Sequence, residues 1–185
     1  SVHPDTMTKP DYTFLLIDDQ KAKMSAFITA AQQRRILIHA VDNVEDGIAK
    51  LKADPERYEA VILDAKCKLR KADQAESYNE AALHTAIREL DAMAKASSRA
   101  LPRCIYTGYS EAADNHGLTE KVFMKGGRGT EGALFDFLCG EVNLIPTRTI
   151  ERDYAASLAL CDDHYLPRAK RDAMLALLLR MNSTD

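Results

Sequence analysis

Phe14-Leu15-Leu16-Ile17-Asp18-Asp19 is an unbroken apolar run that stops on two adjacent carboxylates. Apolar residues without alternation predict a short strand covered on both faces, as in a parallel sheet flanked by helices. The chain beyond it repeats that theme. Met24, Phe27, Ile28 and Ala31 follow at helical spacing, and Ile36–Val41 reads as a second strand. Asn43 is placed to cap a helix carrying Val44, Ile48 and Leu51, which Pro55 ends. Tyr58–Leu63 predicts a third strand, stopping at Asp64. A polar stretch from Ala65 to about Asn79 precedes a long helix marked by Leu83, Ile87, Leu90 and Ala94. Pro102 introduces a fourth strand, Arg103–Tyr106, and Ser110 caps a short helix that stops near Gly117. Val122–Met124 is the fifth strand. Gly126, Gly127 and Gly129 turn the chain, and Thr130 caps a helix carrying Leu134, Phe137 and Leu138. Five strands alternating with five helices predict an α/β fold with a parallel, doubly wound sheet.

Beyond Pro146 the rhythm is helical only. Ile150, Tyr154, Leu158 and Cys161 form one apolar stripe; after Pro167, Ala173, Met174, Leu177, Leu178 and Met181 form another. Together they predict a C-terminal helical hairpin. The expected organisation is therefore a leader over 1–11, an α/β domain over 12–142 and a helical extension over 147–185, the whole chain being a candidate fragment of a longer protein.

With 185 residues, 46% hydrophobic and 29% charged, the composition is that of an ordinary globular chain. A formal charge of −3 gives no electrostatic reason to expect nucleic acid or a membrane surface. The segment from Arg148 to Asp185 holds six Lys/Arg and six Asp/Glu, a balance that argues against a DNA-reading helix. No apolar run is long enough to span a bilayer. Cys67, Cys104, Cys139 and Cys161 are scattered, with no CxxC and no Cys/His cluster, which implies reduced thiols in a cytoplasmic protein.

The chemistry gathers where the strands end. Ligands of open parallel sheets bind beyond the carboxyl ends of the strands, where strand order reverses. Strand one ends on Asp18-Asp19, strand three on Asp64, strand four on Thr107-Gly108 and strand five on Lys125. Three carboxylates at one rim repel one another, and a divalent cation together with Lys125 neutralises them. An all-oxygen donor set suits Mg²⁺. A carboxylate beside Mg²⁺ can attack phosphorus to give an aspartyl phosphate. Lys125 would offset charge on the phosphoryl oxygens, the Thr107 hydroxyl would bond one of them, and small Gly108 would leave room.

Phe14-Leu-Leu-Ile-Asp-Asp19, Val61-Ile-Leu-Asp64, Ile105-Tyr-Thr-Gly108 and Val122-Phe-Met-Lys125, in this order, resemble the motifs of the receiver domains of two-component response regulators. The resemblance covers roughly residues 12 to 142 and implies a flavodoxin-like, receiver-type sheet. By it, Asp64 is the phosphoacceptor, Asp19 a direct Mg²⁺ ligand and Asp18 an acid that holds the metal mostly through water. Thr107 is the switch hydroxyl, Lys125 the phosphate-binding lysine, and the Lys66 backbone carbonyl a further metal ligand. A sensor histidine kinase or phosphotransfer protein would be the partner, with no turnover chemistry beyond self-dephosphorylation. A homodimer through the strand 4/5 face or the C-terminal helices is among the expected assemblies. Gly126 stands where the family usually has proline, and Val122 where it usually has an aromatic; Phe123 should point to the opposite face.

Blander and competing readings exist for each signal. Asp18-Asp19 could form a solvated turn, or Asp19 an N-cap. Lys66, Lys68, Arg70 and Lys71 read first as a solvated loop. His39 and His164 read as structural. A degenerate receiver acting as a phosphorylation-independent binding module is the main alternative function. A phosphatase of the haloacid dehalogenase type fits poorly, because it needs an Asp-x-Asp pair and the residue two after Asp18 is Gln20.

Overall fold

The structure, a computed structural model, describes residues 9–73, 80–97, 99–113, 117–154 and 168–183. Residues 1–8 of the expected leader, and Leu158, Cys161, His164 and Pro167 of the expected hairpin, lie outside the described residues. The chain divides into two compact units, Ser1–Cys139 and Gly140–Asp185.

The first unit carries β1 (Tyr12–Ile17), a 3-10 turn (Lys21–Lys23), α1 (Ser25–Gln33), β2 (Ile36–Val41), α2 (Val44–Ala53) and β3 (Ala60–Leu63). There follow α3 (Glu80–Ser97), β4 (Arg103–Thr107), α4 (Ser110–Ala113), β5 (Val122–Met124) and the start of α5 (Thr130–Asn143). All neighbouring strands are parallel, in the order β2-β1-β3-β4-β5. Strand order therefore reverses between β1 and β3, which opens a crevice beyond their carboxyl ends.

The unbroken apolar runs have the predicted cause. Phe14, Leu15, Leu16 and Ile17 in β1, and Ala60 through Leu63 in β3, are each 0% exposed, because helices cover both faces. Leu15, Ile17, Val61, Leu63 and Ile105 point to one face and pack with Val44, Ile48 and Leu51 of α2 and Leu83 and Leu90 of α3. On the other face Tyr106 stacks on Phe27 of α1, ring centroids 4.9 Å apart, and Phe27 meets Phe135 of α5 at 5.0 Å. Each fully buried large side chain contributes about 1.5–3 kcal/mol of transfer free energy.

Local signals set the element ends. Asn43 caps α2: its side-chain oxygen accepts from the Asp46 N–H at 2.8 Å. A Cβ on Gly47 would overlap the Ile17 side chain, so the glycine lets α2 lie close on β1. β3 is shorter than predicted. Tyr58 and Glu59 precede it, and Glu59 serves instead as a tie, its side chain accepting from the Thr13 N–H at 3.1 Å and its own N–H donating to the Thr13 carbonyl at 2.9 Å. Ser110 and Thr130 are the first residues of α4 and α5 rather than their caps. Residues 114–116, where α4 was expected to continue, lie outside the described residues. His39 is the structural residue expected: its Nδ1 shares a hydrogen bond with the Tyr58 hydroxyl at 3.0 Å.

In the second unit α6 (Pro146–Asp153) and α7 (Arg168–Asn182) pack together. Proline starts α6, where its missing N–H costs nothing. Met174 and Leu178 of α7 are half-buried, but Leu177 and Met181 are exposed, so the predicted apolar stripe is only partly covered within this unit. Among the described residues no helix is long and apolar enough to cross a membrane.

Candidate acidic site at the carboxyl rim of the sheet

Register brings the polar residues together. Ile17 is paired with Leu63, so Asp18 and Asp64 leave adjacent strands at one level; the Asp64 N–H still donates to the Ile17 carbonyl at 2.9 Å. Thr107 is paired with Met124, so Lys125 emerges beside Thr107, with its N–H on the Thr107 carbonyl at 2.8 Å. Asp18, Asp19 and Asp64 each offer a ligand oxygen, and these oxygens all lie within 4.8 Å of one another.

The environments of the three acids differ. Asp18 is 0% exposed; its Oδ1 accepts the Gln20 N–H at 2.7 Å and its Oδ2 the Lys125 ammonium at 2.6 Å. Asp64 is 4% exposed and takes the same ammonium at 3.2 Å, with a long 3.4 Å bond from the Lys66 N–H. Asp19 is half-buried, and neither the 3-10 turn nor α1 has a side-chain cap, so Asp19 is not an N-cap. Burial pushes the Asp19 carboxyl above the usual range, and the charges of Asp64 and Asp18 push it further, against the opposing pull of Lys68 and Lys125. Burial works against the Lys125 ammonium, but its bond to Asp18 and the charges of Asp64 and Asp18 outweigh that and raise its pKa.

Three carboxylates faced by the Lys125 ammonium leave a charge of −2 among these four groups when all are ionised. A divalent cation offsets that excess, and a donor set made only of oxygens suits a hard ion such as Mg²⁺. The residues present therefore fit Mg²⁺, with Asp18, Asp19 and Asp64 as the side chains able to hold it. The Lys66 ammonium lies over the Tyr109 ring, 3.0 Å from the centroid.

Thr107 is buried, and its Oγ1 accepts the Tyr109 N–H at 3.3 Å, which leaves its own proton free to be donated elsewhere. A Cβ at Gly108 would meet nothing within 4 Å, so the space beside Thr107 is open. Val122 is partly buried against the core cluster that holds Val61, Leu63 and Ile105, while Phe123 lies on the other face against Phe137 of α5, at 5.8 Å.

Two features escaped the sequence reading. The Lys66–Lys71 segment is not a free solvated loop. The Lys68 and Leu69 carbonyls accept the N–H groups of Val44 and Glu45 at 2.9 and 3.0 Å, covering donors that a helix leaves open at its N-terminus. Arg70 and Lys71 remain exposed, whereas Lys68 is half-buried and its charge acts on Asp19. The second is Tyr106. Strand alternation places it opposite Ile105, but nothing local shows what it meets there. Its hydroxyl donates to Glu131 at 2.8 Å and its ring lies 5.5 Å from the Lys125 ammonium. Burial, then the bond to Glu131, raises its pKa above that of an ordinary phenol.

No family model matches the sequence, and no curated protein matches it. Solved structures do. A response regulator receiver protein from Sinorhizobium medicae is 18% identical, with a TM-score of 0.52, covering 72% of this chain and 95% of its own. A response regulator from Desulfuromonas acetoxidans is 14% identical, with a TM-score of 0.50, covering 72% of this chain and 98% of its own. A yeast Spc42 trimeric coiled coil fused to another structure is 15% identical, with a TM-score of 0.51, over 95% of this chain and 94% of its own. At such identities the likeness is one of fold. The chain has the receiver fold over about 72% of its length, and the described part of the remainder is helical.

Proposed function

We propose that this chain is the phosphoacceptor receiver of a two-component response regulator, phosphorylated at Asp64 in a Mg²⁺-dependent reaction that switches its contacts with other proteins. The observation that carries the reading is the position of Asp64: buried, at the reversal of strand order, within 4.8 Å of the oxygens of Asp18 and Asp19 and 3.2 Å from the Lys125 ammonium.

In this reading an Asp64 carboxylate oxygen forms the new O–P bond as the P–N bond to a partner's phosphohistidine breaks. The electron pair leaves on the imidazole nitrogen, which takes a proton from solvent. Lys125 draws charge from the phosphoryl oxygens, and its bond to Asp18 keeps the ammonium aimed at the rim. The Thr107 hydroxyl donates to a phosphoryl oxygen in the open space beside Gly108. Asp18, Asp19, Asp64 and the Lys66 carbonyl would hold the metal, which when bound would supply positive charge to the carboxylates and the phosphoryl group. The partner is a histidine kinase or phosphotransfer protein, the compartment the cytoplasm, and the chain a stoichiometric acceptor rather than a turnover enzyme. A homodimer through the β4/β5 face or the C-terminal helices is the assembly this switch would control.

A small phosphodonor with Mg²⁺ should add one phosphoryl group to the wild type and none to Asp64→Asn, read by intact mass. Equal labelling of both proteins would remove Asp64 from the role. A wild type that takes no label yet still binds a partner would support the phosphorylation-independent module, a reading favoured by Val122 and Gly126 standing where the family usually has an aromatic and a proline.

A further inference from the structure

Lys125 is followed by a glycine-rich turn. Gly126, Gly127 and Gly129 separate it from α5, and Gly126 and Gly129 have φ of 80° and 72°. Glycine has the largest backbone freedom to lose on ordering, so fixing this loop costs more than fixing other residues would, and the backbone bonds within it, Gly127 N–H to the Met124 carbonyl at 3.4 Å and Thr130 N–H to the Gly127 carbonyl at 3.2 Å, are long. Two contacts from β4 compensate. The Tyr106 ring is 4% exposed, wedged against Phe27 at 4.9 Å with an interplanar angle of 25°, and the Lys125 ammonium lies over it at 5.5 Å. The Tyr106 hydroxyl reaches past the glycines to Glu131, in the first turn of α5, at 2.8 Å.

We propose that Tyr106 is a positioning residue for Lys125: its ring is a fixed platform under the ammonium, and its hydroxyl, bonded to Glu131, fastens the start of α5 to β4 across the glycine loop. The proposal rests on the phosphoacceptor reading for its consequence, since a lysine held over the rim is what phosphoryl transfer to Asp64 uses. A ring face attracts an ammonium electrostatically, and a fixed ring loses no entropy when it does so.

The test combines a double-mutant cycle with a direct view of the lysine. Tyr106→Leu should lower the maximal rate of Asp64 labelling by small phosphodonor and Mg²⁺ roughly three- to thirtyfold, with little change in the half-saturating donor concentration. Tyr106→Phe, which keeps the ring, and Glu131→Ala, which keeps the ring but frees the loop, should each lose less. In a Lys125→Ala background Tyr106→Leu should have no further effect; losing the same factor again would overturn the proposal, because the residue would then act otherwise than through Lys125. Independently of labelling, the Lys125 side-chain methylene signals in ¹H–¹³C spectra, identified by their loss in Lys125→Ala, should be displaced by the ring in wild type, broaden or shift in part in Tyr106→Phe and Glu131→Ala, which both break the hydroxyl bond to Glu131, and move toward free-lysine positions in Tyr106→Leu. Unmoved signals in a folded Tyr106→Leu protein refute it even if no variant is ever phosphorylated. A wild type that takes no label, with the lysine signals moving as described, instead removes the phosphoacceptor reading and leaves the geometry standing. If circular dichroism shows Tyr106→Leu unfolded, Glu131→Ala decides on the same signals: they must broaden or shift relative to wild type, and their constancy overturns the clamp.

Discussion

Replacing Asp19 by asparagine should stabilise the metal-free protein at neutral pH and should cost stability once Mg²⁺ is present. Asp19 is half-buried, its ligand oxygen within 4.8 Å of oxygens on both Asp18 and Asp64. Two unit charges at that distance interact by about 1 kcal/mol in bulk water and about 3.5 kcal/mol at an effective dielectric constant of 20. Asp19 has water on one side, and Lys68 and Lys125 return part of the repulsion, so a net relief of about 1 kcal/mol is expected. For a chain of this size that corresponds to a rise in Tm of about 2–4 °C. The pH dependence has a definite sign. Asp19 has a folded-state pKa raised above its ordinary value of 3.8, so its charge is the form that folding disfavours. Its penalty is absent below about pH 3.8 and grows as pH rises through the raised value. The advantage of Asp19→Asn should therefore be larger at neutral pH than in acid and vanish on acidification. Urea unfolding in chelator, repeated with millimolar Mg²⁺, reads both effects. Mg²⁺ should stabilise the wild type more than the variant, because the variant lacks one anionic ligand. A variant less stable than wild type in chelator, or a benefit unchanged by Mg²⁺, would refute the picture of a charge-frustrated rim that a divalent cation relieves.

Three further outcomes follow from the surrounding structure. Burial, with the charges of Arg57 and Lys50, lowers the His39 pKa below 6.5, so its imidazole should titrate below that value by NMR. Its contribution to stability should be present above about pH 6.5 and be lost as pH falls through that region, and His39→Gln should flatten this part of the stability–pH curve. Asn43→Ala removes a fully buried cap whose side chain also donates to Asp42 and Asp46 at 2.7 and 2.9 Å, and should cost about 1–2 kcal/mol in denaturant unfolding. Gly47→Ala drives a methyl into the Ile17 side chain and should cost about 1–3 kcal/mol, whereas Gly140→Ala, where a Cβ meets nothing within 4 Å, should be neutral or stabilising.

Much of the site is local in origin. An apolar run covered on both faces must end where the sheet ends, so the first polar residue after each run marks the carboxyl rim. That rule alone aligns Asp18, Asp64, Thr107 and Lys125, and with the helical spacing between runs it implies a parallel sheet. Alternation likewise sends Val122 and Phe123 to opposite faces. Partner choice is different in kind. Lys125 lies closer to Asp18, 107 positions away, than to Asp64, at 2.6 against 3.2 Å, a preference that depends on strand order and on how the side chains pack at the rim. The docking of the Lys68 and Leu69 carbonyls on α2 depends on where α2 comes to rest over β1. The platform under Lys125 exists because α1 supplies Phe27 and α5 supplies Glu131 to a tyrosine whose own strand specifies only its face. Periodicity, a property of a few consecutive residues, determined which residues reach the rim. Only the tertiary structure decided which of them touch, because those distances are set by packing between segments far apart in the chain.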